Sequence, residues 1–141
     1  GAGDAMRSLA SEAAQSGPAA AIAARLAQDR SLPGFGHALY PEGDPRAEAL
    51  LARFEPPAEL AALRTAVAGA TGQRPNVDFA LVALSEALGL PKDAPFALFA
   101  TARCAGWIAH AIEQVQTGGL IRPRARYAGV TPVSSSGGSA N

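Results

Sequence analysis

Five side chains of this sequence have the types and settings to handle a small anionic substrate: His37, Arg46, Asp78, Arg103 and Arg122. His37 follows Gly34, Phe35 and Gly36 in the stretch LPGFGHALYPEGDPR. Its glycines allow positive φ and leave backbone N–H groups open beside an imidazole that can donate or accept a proton. Such a loop suits a ligand, although glycines also mark plain turns, and GFG has neither the preceding strand nor the spacing of a nucleotide fingerprint. Arg46 falls in the first turn of a helix, where unpaired N–H groups already make a positive end and acids are favoured. Two readings stay open there: a surface pair with Glu42 or Glu48, or an anion held jointly by the guanidinium and the helix end.

Arg103 lies in mid-helix in FALFATARCAGWIAHAIEQ, with Phe99, Trp107 and His110 at helical spacing on its own face. If buried there, its charge needs an acid of the protein or of a ligand. Gly106 disfavours a helix by roughly 1 kcal/mol against alanine, so a close approach by another backbone or a ligand is expected beside it. Asp78 stands second in its helix and His110 stands toward the end of its own; the helix dipole alone explains either. Arg122 opens RPRARY, which reads as a solvated basic tail or as an arm reaching a neighbouring subunit or an anionic ligand. One histidine, one acid and several arginines at helix ends and glycine loops suit a small di- or tricarboxylate.

The elements that must position these groups read as helices between Gly and Pro punctuation. Residues 4 to 16 place Met6, Leu9, Ala10 and Ala13 on one side; Gly17 and Pro18 stop that helix and start another that runs to about residue 30, with Arg25, Gln28 and Asp29 outside. Asp44 caps a third, with Pro45 first and a stop near Phe54. A fourth covers about 57 to 70. Asn76 caps a fifth, whose buried stripe is Phe79, Val82, Ala83 and Leu90 before Gly89 and Pro91 close it, and the most apolar helix runs from 95 to about 116. With no convincing alternating strand, the fold class is all-α.

At 141 residues the chain is long enough for one domain with a core. Twelve Lys plus Arg balance twelve Asp plus Glu, which argues against nucleic-acid or membrane partners. Only Lys92 is lysine, and arginine is the side chain suited to bidentate grips on carboxylate and phosphate. The single cysteine, Cys104, excludes an intramolecular disulfide and argues against a cysteine-built metal site, so the expected location is the cytoplasm. The start, GAGDAMRSL, lacks the features of a signal peptide, and no apolar run approaches the ~18 residues of a membrane span. The end, VSSSGGSAN, reads as a flexible tail over 133–141.

Four segments, GFGHALYPEGDPRA, PNVDFALVAL, ATARCAGWIAHAIEQ and LIRPRARYAG, resemble in order and separation the C-terminal portion of citrate synthase, from about Gly1 to Gly129. The resemblance implies an all-helical, dimeric enzyme that condenses acetyl-CoA with oxaloacetate to give citrate and CoA. It implies a citrate synthase-like helical region including the small domain over 1–118 and an extended C-terminal arm over 119–132. By the same resemblance His37 polarises the oxaloacetate carbonyl and Asp78 removes a proton from the acetyl methyl. Arg46 and Arg103 hold carboxylates, Arg122 reaches the active site of the other subunit, and the backbone of Gly34, Phe35 and Gly36 lies against the CoA adenine. No cofactor or metal is implied, CoA thioester being a substrate.

The sequence departs from the family pattern twice. The family's enol-stabilising histidine, in a segment like HGGA, is missing, and GAGDAMRSL resembles the residues immediately after that segment, so a fragment inactive by itself is expected. Pro41 also succeeds Tyr40 where the family often has a basic residue near the CoA phosphate. PEGDPRA resembles a divergent branch, some members of which carry an N-terminal helix-turn-helix. Alternative readings are 2-methylcitrate synthase, which uses propionyl-CoA, a non-catalytic CoA or carboxylate sensor, and a helical interaction module; the last explains Arg46 and Arg103 poorly.

Overall fold

A computed structural model describes residues 1–119 as six helices: α1 (Ala2–Ser16), α2 (Pro18–Ala27), α3 (Pro45–Leu51), α4 (Ala58–Thr71), α5 (Val77–Ala87) and α6 (Ala94–Thr117). The all-α expectation holds. Among the described residues β pairing is confined to one isolated bridge, between Phe35 and Pro75. The arm beyond Gly119, the 133–141 tail and Arg122 lie outside the described residues.

The core collects one stripe from each of four helices. Met6, Leu9 and Ala13 of α1 meet Ala21 and Ile22 of α2, Leu60, Leu63 and Val67 of α4, and Phe79, Val82 and Ala83 of α5. Leu32 and Phe35, from the loop between α2 and α3, complete it. Phe35 tilts against Phe79 with ring centroids 5.1 Å apart. An aromatic pair of this kind adds ~0.5–1.5 kcal/mol beyond its burial. The loop that carries His37 is therefore anchored in the core by its own phenylalanine.

Three expectations need correction. Arg25 is 4% exposed rather than outside, because it follows Ala21 and Ile22 by one turn on the buried side of α2. Its guanidinium is gripped by Glu12 of α1 at 2.7 and 2.6 Å, which holds the Glu12 carboxyl down at about 2. Leu90 is 40% exposed, because α5 stops at Ala87 and the chain turns away. Finally α6 is not the most apolar helix, since Arg103, His110 and the polar residues near its end dilute it below α5, and it buries only Pro95; Phe96, Trp107, Ile108, Ile112 and Val115 are all more than half exposed. Within residues 1–119 its packing is chiefly on α5.

Candidate active site

The site is built where the α2–α3 loop, the start of α3 and the start of α5 converge. Gly34 takes φ +84°, and a Cβ there would run into Met6 Sδ and sit 3.3 Å from Phe79 Cβ. Glycine is thus required both by backbone conformation and by the core beneath it. The loop then turns outward, with Gly36 at φ +68° and its N–H donated to the Arg74 carbonyl at 2.9 Å. His37 emerges half-buried. The Leu39 N–H donates to its Nδ1 at 3.2 Å, which places the neutral ring's proton on Nε2 and leaves that atom a donor.

Asp44 ties the two helix starts together. Its carboxylate is 1% exposed, caps α3 by accepting the Arg46 N–H at 3.0 Å, and accepts the Val77 N–H of α5 at 2.9 Å. It also takes a bidentate grip from Arg46, Nε at 2.9 Å and Nη2 at 2.8 Å. These donors hold Asp44 well below its ordinary 3.8, at about 2, the Arg46 side chain contributing most. Arg46 therefore pairs with neither Glu42 nor Glu48, since Glu48 pairs with Arg74 at 3.2 Å. Clamped on one edge by Asp44, the Arg46 guanidinium lies 5.4 Å over the Tyr40 ring, whose other neighbour is the His37 ring at 4.9 Å. Among the described residues its Nη1 makes no hydrogen bond. The cap at Asp44 is legible in the sequence; its second task, as the support of Arg46, has no sequence signal.

Asp78 stands in the first turn of α5, its N–H donated to the Asn76 cap at 3.0 Å. Burial raises its carboxyl above the ordinary 3.8, Arg46 and His37 draw it back down, and Asp44 pushes it further up. A carboxylate raised by partial burial and facing a cation and an imidazole is the pattern of a general base. His37, Arg46 and Asp78 line one cleft of about 780 Å³. The rest of its lining comes from residues 1–4, Val77, Lys92, Asp93, Pro95, Phe96 and Phe99. Nothing in the sequence marks Lys92, the lone lysine, for this position; its backbone carbonyl accepts a hydrogen bond from the Arg7 Nη1 of α1.

Other expected site residues fall elsewhere. Arg103 is exposed on α6 and does not line the cleft, which its neighbour one turn earlier, Phe99, does. What lies close to Gly106 is the Arg103 guanidinium itself, 3.0 Å from where a Cβ would stand. His110 is exposed and sits 3.5 Å from Glu113. Of the GFG segment, Gly34 and Phe35 face the core and Gly36 lines a second, smaller cleft of about 230 Å³ with Tyr40, Pro41, Gln73 and Arg74. Among the described residues no cluster of His, Cys, Asp and Glu could hold a metal ion.

Comparison with known proteins gives the family. The family model "Citrate synthase, C-terminal domain" matches residues 1–124. This chain belongs to the citrate synthase family. It is 41% identical over 106 residues to the citrate synthase of Haloferax volcanii, covering 68% of this chain and 28% of that one. It is 38% identical over 109 residues to 2-methylcitrate synthase 2 of Corynebacterium glutamicum, again 68% of this chain and 28% of that one. The fold superposes on the crystal structure of citrate synthase from Thermotoga maritima with a TM-score of 0.75 at 33% identity, covering 94% of this chain and 39% of that one. The chain thus spans less than a third of the length of these two sequence relatives.

Proposed function

We propose that the whole protein condenses acetyl-CoA with oxaloacetate to citrate and CoA, with the catalytic carboxylate and one carboxylate-binding arginine in this cleft. The observation that carries the reading is the convergence of His37, Arg46 and Asp78 on one cavity, from three separate segments, in a chain of the citrate synthase family. Asp78 takes a proton from the methyl group of the thioester. The resulting enolate carbon attacks the oxaloacetate carbonyl, which the His37 Nε2–H polarises and then protonates at oxygen, and the new C–C bond gives citryl-CoA. Hydrolysis of that thioester releases citrate and the CoA thiol.

A thioester methyl is a weak carbon acid, so a carboxylate serves as its base only where placed donors stabilise the developing negative charge and water is excluded. Arg46 suits a substrate carboxylate because Asp44 fixes its plane and leaves Nη1 open. The carboxylate roles of Arg103 and Arg122, the reach of Arg122 into a partner subunit, the contact of Gly34, Phe35 and Gly36 with CoA, and the homodimer rest on the resemblance to the family, and the cytoplasmic location rests on the cysteine usage.

The Corynebacterium relative supports a second reading, 2-methylcitrate synthesis from propionyl-CoA. One methylene in an apolar pocket discriminates by only ~1–3 kcal/mol. Rates of thiol release by the whole protein, with oxaloacetate and either acetyl-CoA or propionyl-CoA, decide between them: acetyl-CoA is expected to give the higher kcat/KM. The reverse order would assign the 2-methylcitrate reaction, and no thiol release from either would leave the sensor reading.

A further inference from the structure

Between the loop that carries His37 and the helix that carries Asp78 stands a single carboxamide. Asn76 caps α5, its Oδ1 accepting the N–H groups of Asp78 at 3.0 Å and Phe79 at 3.4 Å. Its Nδ2 points the other way and donates to the Gly36 carbonyl at 3.0 Å. The backbone follows the same line: the Asn76 N–H donates to the Gly34 carbonyl at 2.9 Å, and the Gly36 N–H donates to the Arg74 carbonyl at 2.9 Å. The short Phe35 to Pro75 bridge is thereby continued by a side chain into the first turn of α5.

We propose that Asn76 is a positioning residue that sets the distance between His37 and Asp78, through the donor half of its amide as well as the acceptor half. This rests on the functional reading above. Many residues cap a helix, since Ser, Thr and Asp accept the same N–H groups. An ionised Asp has no donor for the Gly36 carbonyl. Capping alone therefore leaves the identity at position 76 open, and the contact to Gly36 closes it. An imidazole and a carboxylate that act on two different carbons of one reaction must hold their separation; misplacement by about 1 Å lowers rates by ~10²-fold.

Asn76→Asp separates the two halves, because it keeps the cap and removes the donor; Asn76→Ala removes both. In Asn76→Asp the melting temperature is expected to drop by no more than one lost hydrogen bond accounts for, and the amides of α5, still capped, should lose no more protection than the rest of the core. Exchange of the Gly36 and Asn76-position amides should quicken by about tenfold, the size of one lost hydrogen bond. In the whole protein kcat should fall by ~10- to 100-fold while KM for oxaloacetate moves little. Asn76→Ser, which caps with a smaller group, carries the same measurements should the carboxylate disturb folding.

Wild-type exchange at the loop would overturn the proposal whatever the turnover. Faster exchange with unchanged kcat overturns it as well, because the loop's position would then be immaterial to the chemistry. The exchange experiment needs no activity, so a failure of the citrate synthase reading and a failure of the Asn76 proposal are told apart.

Discussion

At the scale of single residues, the site sets two carboxylates against each other. Asp44 is stabilised as an anion and Asp78 is penalised as one. A carboxyl whose folded pKa lies below its unfolded value stabilises the fold above that value and loses the contribution as pH falls. For Asp44 this window runs from its ordinary 3.8 down to about 2, and Glu12, also at about 2, adds to it. Melting temperature should hold above about pH 5 and drop through this range. Asp44→Asn should flatten the drop while destabilising the chain at neutral pH by ~1–3 kcal/mol, since Arg46 is partly exposed. Thermal unfolding followed by circular dichroism from acid to neutral pH checks both.

Asp78 has the opposite sign. Its folded pKa is raised above 3.8, so ionisation at higher pH disfavours the fold. Asp78→Asn is expected to raise the melting temperature at neutral pH, the gain vanishing below about pH 3.8. A substitution that gains stability while losing activity is the usual signature of a strained active site. Equal or lower stability of the variant at neutral pH would contradict the assignment of burial as the main influence on this carboxyl.

At the scale of elements, the loop between α2 and α3 is fixed by what lies beneath it. Gly34→Ala would combine positive φ with a clash into Met6 and Phe79, for a destabilisation of more than about 2 kcal/mol. Because His37 lies just beyond in the same loop, loss of activity should accompany it; chemical denaturation at neutral pH measures the first and turnover the second. Gly36→Ala meets only ordinary contacts with Gln73, so its penalty should come from φ alone and be smaller.

Helix starts are legible in the sequence because Asp44, Pro45 and Asn76 announce themselves by chemistry that acts within a single turn. His37, Arg46 and Asp78 are legible as individuals, each through a local rule or the family resemblance. Their meeting in one cleft is not legible from local rules, since it depends on Asp44 and Asn76 bonding across 33 and 40 residues of chain. Arg25 departs from expectation because the helical period names a face but not which face an ion pair with Glu12 lets it bury. Whether Arg103 is buried is left open by the sequence, because the apolar content of α6 does not say what stands against it.

At the scale of the molecule, α6 exposes large apolar side chains among the described residues, with Trp107 at 57%, Ile108 at 60% and Val115 at 81% exposure. Soluble surfaces rarely leave so large a patch uncovered, and such patches associate. The 141-residue chain is expected to self-associate with rising concentration, Trp107 emission shifting to the blue as it does. Ile108→Glu should weaken the association and leave melting unchanged, because Ile108 is outside the core cluster. Analytical ultracentrifugation would detect either outcome.

The cleft itself is lined by the start of α5, the His37 loop and the starts of α1 and α6. The chemistry proposed for it depends on Asp78 acting as a base rather than as a helix-start acid. The decisive measurement is thiol release by the whole protein carrying Asp78→Asn, with oxaloacetate affinity determined in parallel by calorimetry. The expected result is loss of turnover by a factor of about 10³ or more, with oxaloacetate binding largely retained. Turnover near the wild-type rate would remove Asp78 from the mechanism and contradict the assignment of this cleft.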